Sequence, residues 1–175
     1  MKVKNMARCA LFAALLAVCA WIAVPIGDIA FTLQTFAVAL ALYLLGGKWG
    51  SAAIFVYLLL GAAGVPVFSG FQGGFGTLLG VTGGYILGFT LWGLAYWLIT
   101  GLWGQKKYAS VVAMVVGLLL CYTFGTVWYF FVYLDGGSTA SLGTILIKSV
   151  LPYLLPDGMK LTLAWLLSRR LKRFM

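Results

Sequence analysis

From residue 7 onward the chain is a succession of apolar runs, at about 7–24, 31–46, 50–63, 79–101, 110–134 and 143–171, parted by short polar or glycine-rich breaks. Runs of this kind leave few folds open. A helix needs about 20 residues to cross the hydrocarbon core of a bilayer, and about 17 is a practical lower limit. In lipid every backbone polar group must be bonded within the protein, which directs such runs into a helix bundle. Composition agrees: 63% of the 175 residues are hydrophobic, 9% are charged and mean hydropathy is +1.07. An ordinary soluble domain carries roughly 25% charge, so a soluble fold is excluded. The first run is followed by several more and reads as the first helix of the bundle, not as a cleaved signal peptide. In the last run Pro152 and Pro156 mark a helix start, because proline is tolerated in the first turn. The expected fold is an all-α integral membrane protein, one domain over 1–175 with six transmembrane helices, the sixth over about 156–172.

Charge placement orients the bundle. Lys2, Lys4 and Arg8 precede the first run, Lys48 lies between the second and third, Lys106 and Lys107 between the fourth and fifth, and Arg169, Arg170, Lys172 and Arg173 follow the sixth. With six spans these ten of the twelve basic residues fall on one side, the cytoplasm by the positive-inside rule. Both termini are then cytoplasmic, and Asp28 and Asp135 fall in opposite loops. The net charge of +9 is thus accounted for by topology and not by a nucleic-acid partner. Cys9, Cys19 and Cys121 lie inside apolar runs at unrelated spacings, and the chain has no histidine. No metal site or disulfide framework is expected; the cysteines read as small packing residues.

Between the third and fourth runs, on the outer side, lies "GVPVFSGFQGGFGTLLGVTGGY", residues 64–85, with eight glycines in 22 residues. Glycine loses the most backbone entropy on ordering, so such a cluster needs a reason. It is either an exposed external loop or irregular backbone lining a cavity, the one setting in which such backbone is tolerated at membrane depth. Val65, Val67, Phe68, Phe71 and Phe75 favour a segment folded back onto the helices. Gly76, Gly80, Gly84 and Gly88 recur every four residues; the last three are expected on one face of the fourth helix as a close-packing surface.

Asp157 and Lys160 remain inside the membrane. Three residues apart, they share a helix face and can pair. Ionisable residues in a span are expensive and usually face a substrate or ion pathway. The pair either fixes the helix in the bundle or meets a small polar ligand, Asp157 accepting from N–H groups and Lys160 donating to an oxygen. Lys148 belongs to an outer segment around 143–154 and has no role in this reading. Thr32, Gln34 and Thr35 of "FTLQTF" sit near the same outer side, either holding a ligand or bonding across helices. "GGKWGS" lacks the spacing of a P-loop, and no dinucleotide fingerprint follows a strand. ATP hydrolysis by this chain is therefore not expected, and one intramembrane acid is a thin basis for a proton-driven carrier.

"FTLQTF", "LLLGAAGVPVFSG", "GGFGTLLGVTGGYILGF" and "LPDGMK", in this order across nearly the whole chain, resemble the BioY family, the biotin-binding S components of energy-coupling-factor transporters. Val81 departs from the pattern, which has a proline before T-G-G. The resemblance implies a six-helix substrate-binding subunit of the cell membrane that captures biotin from outside, with no cofactor. Asp157 and Lys160 would be the polar contacts, beside Thr32 and Gln34. Phe68, Gly73, Gly74, Thr82 and Tyr85 would supply close backbone approach and the cavity wall. It also implies that Ala10 and Ala14, or Ala13 and Ala17, form a smooth face for docking on a transmembrane coupling subunit attached to two ATPases; ordinary packing explains the same spacing. Rival readings are the same fold binding another vitamin or a biotin precursor, an intramembrane enzyme using Asp157, and a purely structural subunit.

Overall fold

The computed structural model describes residues 2–26, 29–104, 106–135 and 142–173. Asp28 lies outside the described residues, as do the side chains of Asp135 and Lys148. Helix α1, Lys2–Trp21, is followed by a feature that hydropathy did not indicate, a two-stranded hairpin. Strand β1 (Ala23–Ile26) pairs antiparallel with β2 (Ile29–Thr32), Val24 opposite Phe31. Phe31 and Thr32, placed in the second span by their apolar context, therefore belong to a strand. The change to helix is set at Leu33, whose N–H reaches Cys19 and Ile22 oxygens at 3.1 and 3.3 Å.

Helix α2 runs from Gln34 to Ala62, but Gly46 has φ 74° and ψ 176°. A straight helix would put Gln34 and Tyr57 about 34 Å apart. Instead Gln34 Nε2 donates to Tyr57 Oη at 2.6 Å. The chain therefore doubles back at Gly46, and arms 34–45 and 47–62 lie antiparallel, matching the two apolar runs separated in sequence. The left-handed conformation required at the turn is one that glycine adopts without penalty.

The glycine-rich stretch is folded onto this hairpin. Val67 and Phe68 are buried, whereas Val65, Phe71 and Phe75 remain exposed. A 3₁₀ turn at Ser69–Phe71 and the short helix α3 (Phe75–Leu79) are tied down from both sides. Tyr57 Oη donates to the Val67 carbonyl at 3.2 Å, and Trp21 Nε1 to that of Pro66 at 2.9 Å. The Gly74 N–H reaches the Gly61 oxygen at 2.6 Å. Several backbone groups of this irregular segment thus find partners without a regular element.

Helix α4 (Gly83–Trp103) and α5 (Lys107–Asp135) form the closest pair. A methyl at Gly84 would overlap Trp128, one at Gly88 would crowd Cys121, and one at Gly117 would overlap the Trp92 indole. Gly84 and Gly88 thus form a close-packing face, as the four-residue spacing suggests. Gly80 is not on that helix; it ends α3, and its carbonyl accepts from Trp128 Nε1 at 3.0 Å. Helix α6 (Leu142–Ser149) leads to α7 (Leu151–Leu171). The last helix begins at Leu151, five residues earlier than expected, with the break at Val150 (φ −120°). Pro152 occupies the first turn, where its missing N–H has no partner to lose, so at Pro156 only the bond to the Pro152 carbonyl is forgone.

Helix α7 packs mainly on α2. The start of α1, the turn at Gly46, the α4–α5 connection and the end of α7 share one end of the molecule: Cys9 Sγ donates to the Trp49 carbonyl, and Tyr43 packs edge-on against Tyr96. The hairpin, the glycine-rich segment and the start of α7 share the other.

Candidate functional site

At that second end the elements leave a cavity lined by side chains from several of them and partly open to solvent. Strand β2 contributes Thr32 and the start of α2 contributes Gln34 and Thr35. Ser69 and Thr82 come from the glycine-rich segment, and Tyr85, Ile86 and Phe89 from α4. Cys121 and Tyr122 lie on α5, Ser149 ends α6, and Tyr153, Asp157 and Lys160 face inward from α7.

Tyr153, Asp157 and Lys160 are three or four residues apart and share one buried stripe of α7, which carries both charges inward. Asp157 and Lys160 are 3% and 7% exposed. Charges so far from water persist when paired and fully bonded. Lys160 Nζ donates to Asp157 Oδ1 at 2.8 Å and to the Thr32 carbonyl at 2.6 Å, and lies 3.7 Å from the centre of the Phe31 ring. Thr35 Oγ1 donates to the same Oδ1 at 2.8 Å, and Tyr122 Oη to Oδ2 at 2.5 Å. The pair is thus the hub of a network joining β2, α2, α5 and α7. An ionised carboxylate offers about four acceptor sites, so Oδ2 keeps one open toward the cavity, whereas the ammonium has no unengaged donor.

Further polar groups border the same space. Tyr85 Oη and Thr126 Oγ1 are 3.1 Å apart, and Tyr85, Thr82 and Ser149 line the cavity. Ile86, Phe89 and Tyr153 add apolar wall. The site therefore suits a compact, partly apolar molecule with more than one hydrogen-bonding group.

Of the residues singled out in the sequence, Thr32, Gln34, Thr82, Tyr85, Asp157 and Lys160 line this cavity together. Gln34 is engaged on both sides, accepting from Thr32 Oγ1 at 3.0 Å and donating to Tyr57. Phe68, Gly73 and Gly74 do not line it. Phe68 is fully buried, edge-on to Tyr57 at 5.6 Å. Gly73 lies against the Val65 backbone, and Gly74 has φ 89°. These three shape the segment that covers the cavity. The alanines of α1 divide: Ala13 and Ala17 are buried in the bundle, while Ala10 and Ala14 are exposed. Tyr122, Ser149 and Tyr153 were not singled out; a tyrosine or serine in an apolar run reads as interface or packing, and only the fold aims these three at the carboxylate or the cavity.

A helical integral membrane protein with a buried ion pair on the wall of an internal cavity has the build of a membrane-embedded binding subunit. The chain belongs to the BioY family, whose profile matches residues 1–175. It is 39% identical over 173 residues to the biotin transporter BioY of Thermotoga maritima, covering 97% of this chain and 96% of that one. Its fold is similar to the crystal structure of the S component for biotin from an ECF-type ABC transporter, with a TM-score of 0.83 and 26% identity over 98% of this chain and 92% of the other. The S component of a bacterial ECF transporter is similar in fold alone, with a TM-score of 0.64 and 15% identity over 99% and 98% of the two chains.

Proposed function

We propose that this chain captures biotin at the outer face of the cell membrane and delivers it inward as the substrate-binding subunit of an energy-coupling-factor transporter. It is a transporter subunit and not an enzyme. What carries the reading is that the D-x-x-K pair of the family motif, Asp157 and Lys160, lies buried on the wall of a cavity lined by both polar and apolar side chains. Biotin's ureido ring presents two N–H donors and a carbonyl. Asp157 Oδ2 has acceptor capacity left, and the hydroxyls of Tyr122 and Thr35, which donate to the carboxylate, keep lone pairs that can accept. Lys160 then acts first by orienting the Asp157 carboxylate. The apolar walls suit the fused rings, and the hydroxyls of Tyr85 and Ser149 suit the valerate carboxylate.

The membrane arrangement follows from the same elements. Four helices are long and apolar enough to cross a bilayer, and one of these, α2, is two antiparallel arms. Helix α7, 21 residues long, carries Asp157, Lys160, Arg169 and Arg170, which lower its hydropathy without shortening it. Six spans result, in a single domain over 1–175. The basic ends are cytoplasmic by the positive-inside rule, and the cavity opens outward. The exposed pair Ala10 and Ala14 is the docking face for the coupling subunit, to which two ATPases attach; Ala13 and Ala17 serve packing.

The test is a biotin titration of the purified protein in detergent, by calorimetry, with Asp157→Asn and Lys160→Ala alongside. Saturable one-site binding that is lost in both variants is expected. A folded wild type that ignores biotin would sink the proposal and send the search to other vitamins or biotin precursors.

A further inference from the structure

A groove runs along the face of α7 that is turned away from the bundle. Leu155, Met159, Leu163 and Leu166 form its floor, and Phe31 and Leu33 close one end. The four floor residues are exposed, between 49% and 74%, and their helical spacing makes them one stripe. At Leu166 the groove meets a second concavity formed with Arg169, Arg170 and Arg173. The Arg169 guanidinium is held over the Trp165 ring, 5.0 Å from its centre. Among the described residues none of these three arginines has a carboxylate partner. Three converging cations without a counter-charge favour an anion from outside, and the arginine fork suits phosphate.

Length decides what the anion is attached to. From Leu166 back to Leu155 is eleven residues of helix, roughly 16 Å. Half of a hydrocarbon core of about 30 Å is about 15 Å, the depth of one leaflet. We propose that this groove is a specific site for an anionic phospholipid, its phosphate on Arg169, Arg170 and Arg173 and one acyl chain along Leu166, Leu163, Met159 and Leu155. The assignment to the cytoplasmic leaflet rests on the topology proposed above; the lipid chemistry does not. Lys160 borders both this groove and the cavity, so the lipid supports from outside the helix that carries the buried ion pair.

The experiment titrates delipidated full-length protein in mixed micelles with phosphatidylglycerol or phosphatidylcholine, reading adducts by native mass spectrometry and Tm in parallel. Phosphatidylglycerol is expected to form one saturable adduct, bound roughly tenfold tighter than phosphatidylcholine, and to raise Tm as binding to the native state must. R169Q/R170Q/R173Q abolishes that preference. Lys106→Gln with Lys107→Gln, which removes two charges at the same end, preserves it. Met159→Trp fills the groove and weakens the adduct with every arginine in place. Should the triple variant misfold, R170Q alone and Met159→Trp carry the test. Equal affinity for the two lipids, equal loss in the Lys106/Lys107 variant, or displacement by inorganic phosphate overturns the proposal and leaves the arginines as topological charges. No arm uses biotin, so failure here and failure of the transport reading are told apart.

Discussion

Lys160 has three N–H donors, and the Thr32 carbonyl, Asp157 Oδ1 and the Phe31 ring face take all three. Removing it therefore leaves Asp157 as a buried carboxylate without its cation, and breaking a buried pair in this way costs about 3–5 kcal/mol. Lys160→Met is expected to lower Tm strongly, whereas the double variant Asp157→Asn, Lys160→Met recovers part of the loss because no charge is left buried; thermal unfolding in detergent measures both. Tyr122→Phe removes the hydroxyl donor to Oδ2. A hydrogen bond to a charged group contributes about 1.5–3 kcal/mol, so a modest fall in Tm is expected together with a roughly tenfold weaker biotin affinity, and an unchanged affinity would remove Tyr122 from the site. Asp157 and Lys160 were legible because charge in an apolar run is costly and so conspicuous. Tyr122 and Tyr153 were not, since an aromatic residue fits an apolar run for packing reasons alone.

At the scale of elements, glycine marks where the chain changes direction, and what surrounds each glycine decides its role. Gly46 turns α2 into a hairpin through a positive φ. Gly46→Val forces a branched side chain into a positive-φ, extended-ψ conformation that only glycine adopts readily, at about 1–3 kcal/mol, and is expected to lower Tm. Gly101, in α4, has open space where a Cβ would point. Gly101→Ala is expected to raise stability by about 0.5–1 kcal/mol through helix propensity; a loss at Gly101 or neutrality at Gly46 in the same Tm assay would contradict this division. The β1–β2 hairpin was not legible, because 22–32 is apolar enough to read as parts of two spans and its pairing depends on where Leu33 bonds. Nor was the start of α7 at Leu151: Pro152 and Pro156 both permit a helix start, and the break at Val150 settled which one applies. In the glycine-rich segment the apolar content announced burial, yet Phe68 went inside while Phe71, at φ 58°, stacked on Trp21 with ring centres 5.1 Å apart.

For the whole molecule, the cavity lies at one end of the bundle and ten lysines and arginines cluster toward the other, an asymmetry that orients the proposed transport. If Ala10 and Ala14 meet the coupling subunit, Ala14→Trp blocks docking without reaching the cavity, because Ala14 points outward. Biotin uptake by cells carrying the full transporter is then expected to fall at least tenfold while binding to the purified subunit stays unchanged; uptake at the wild-type rate would move the interface elsewhere. By itself the sequence determined that the chain is helical and belongs in a membrane, which end carries the positive charge, and that Asp157 and Lys160 are out of the ordinary. Each follows from the cost of placing polar groups in hydrocarbon, a cost read residue by residue along the chain. Only the tertiary structure decided that Thr35, Tyr122 and the Thr32 carbonyl complete the network, that Phe68, Gly73 and Gly74 stand behind the cavity wall, and which alanines of α1 face outward. Those outcomes depend on contacts between residues as many as 128 positions apart, and no local pattern of hydropathy encodes which distant partner a side chain will meet.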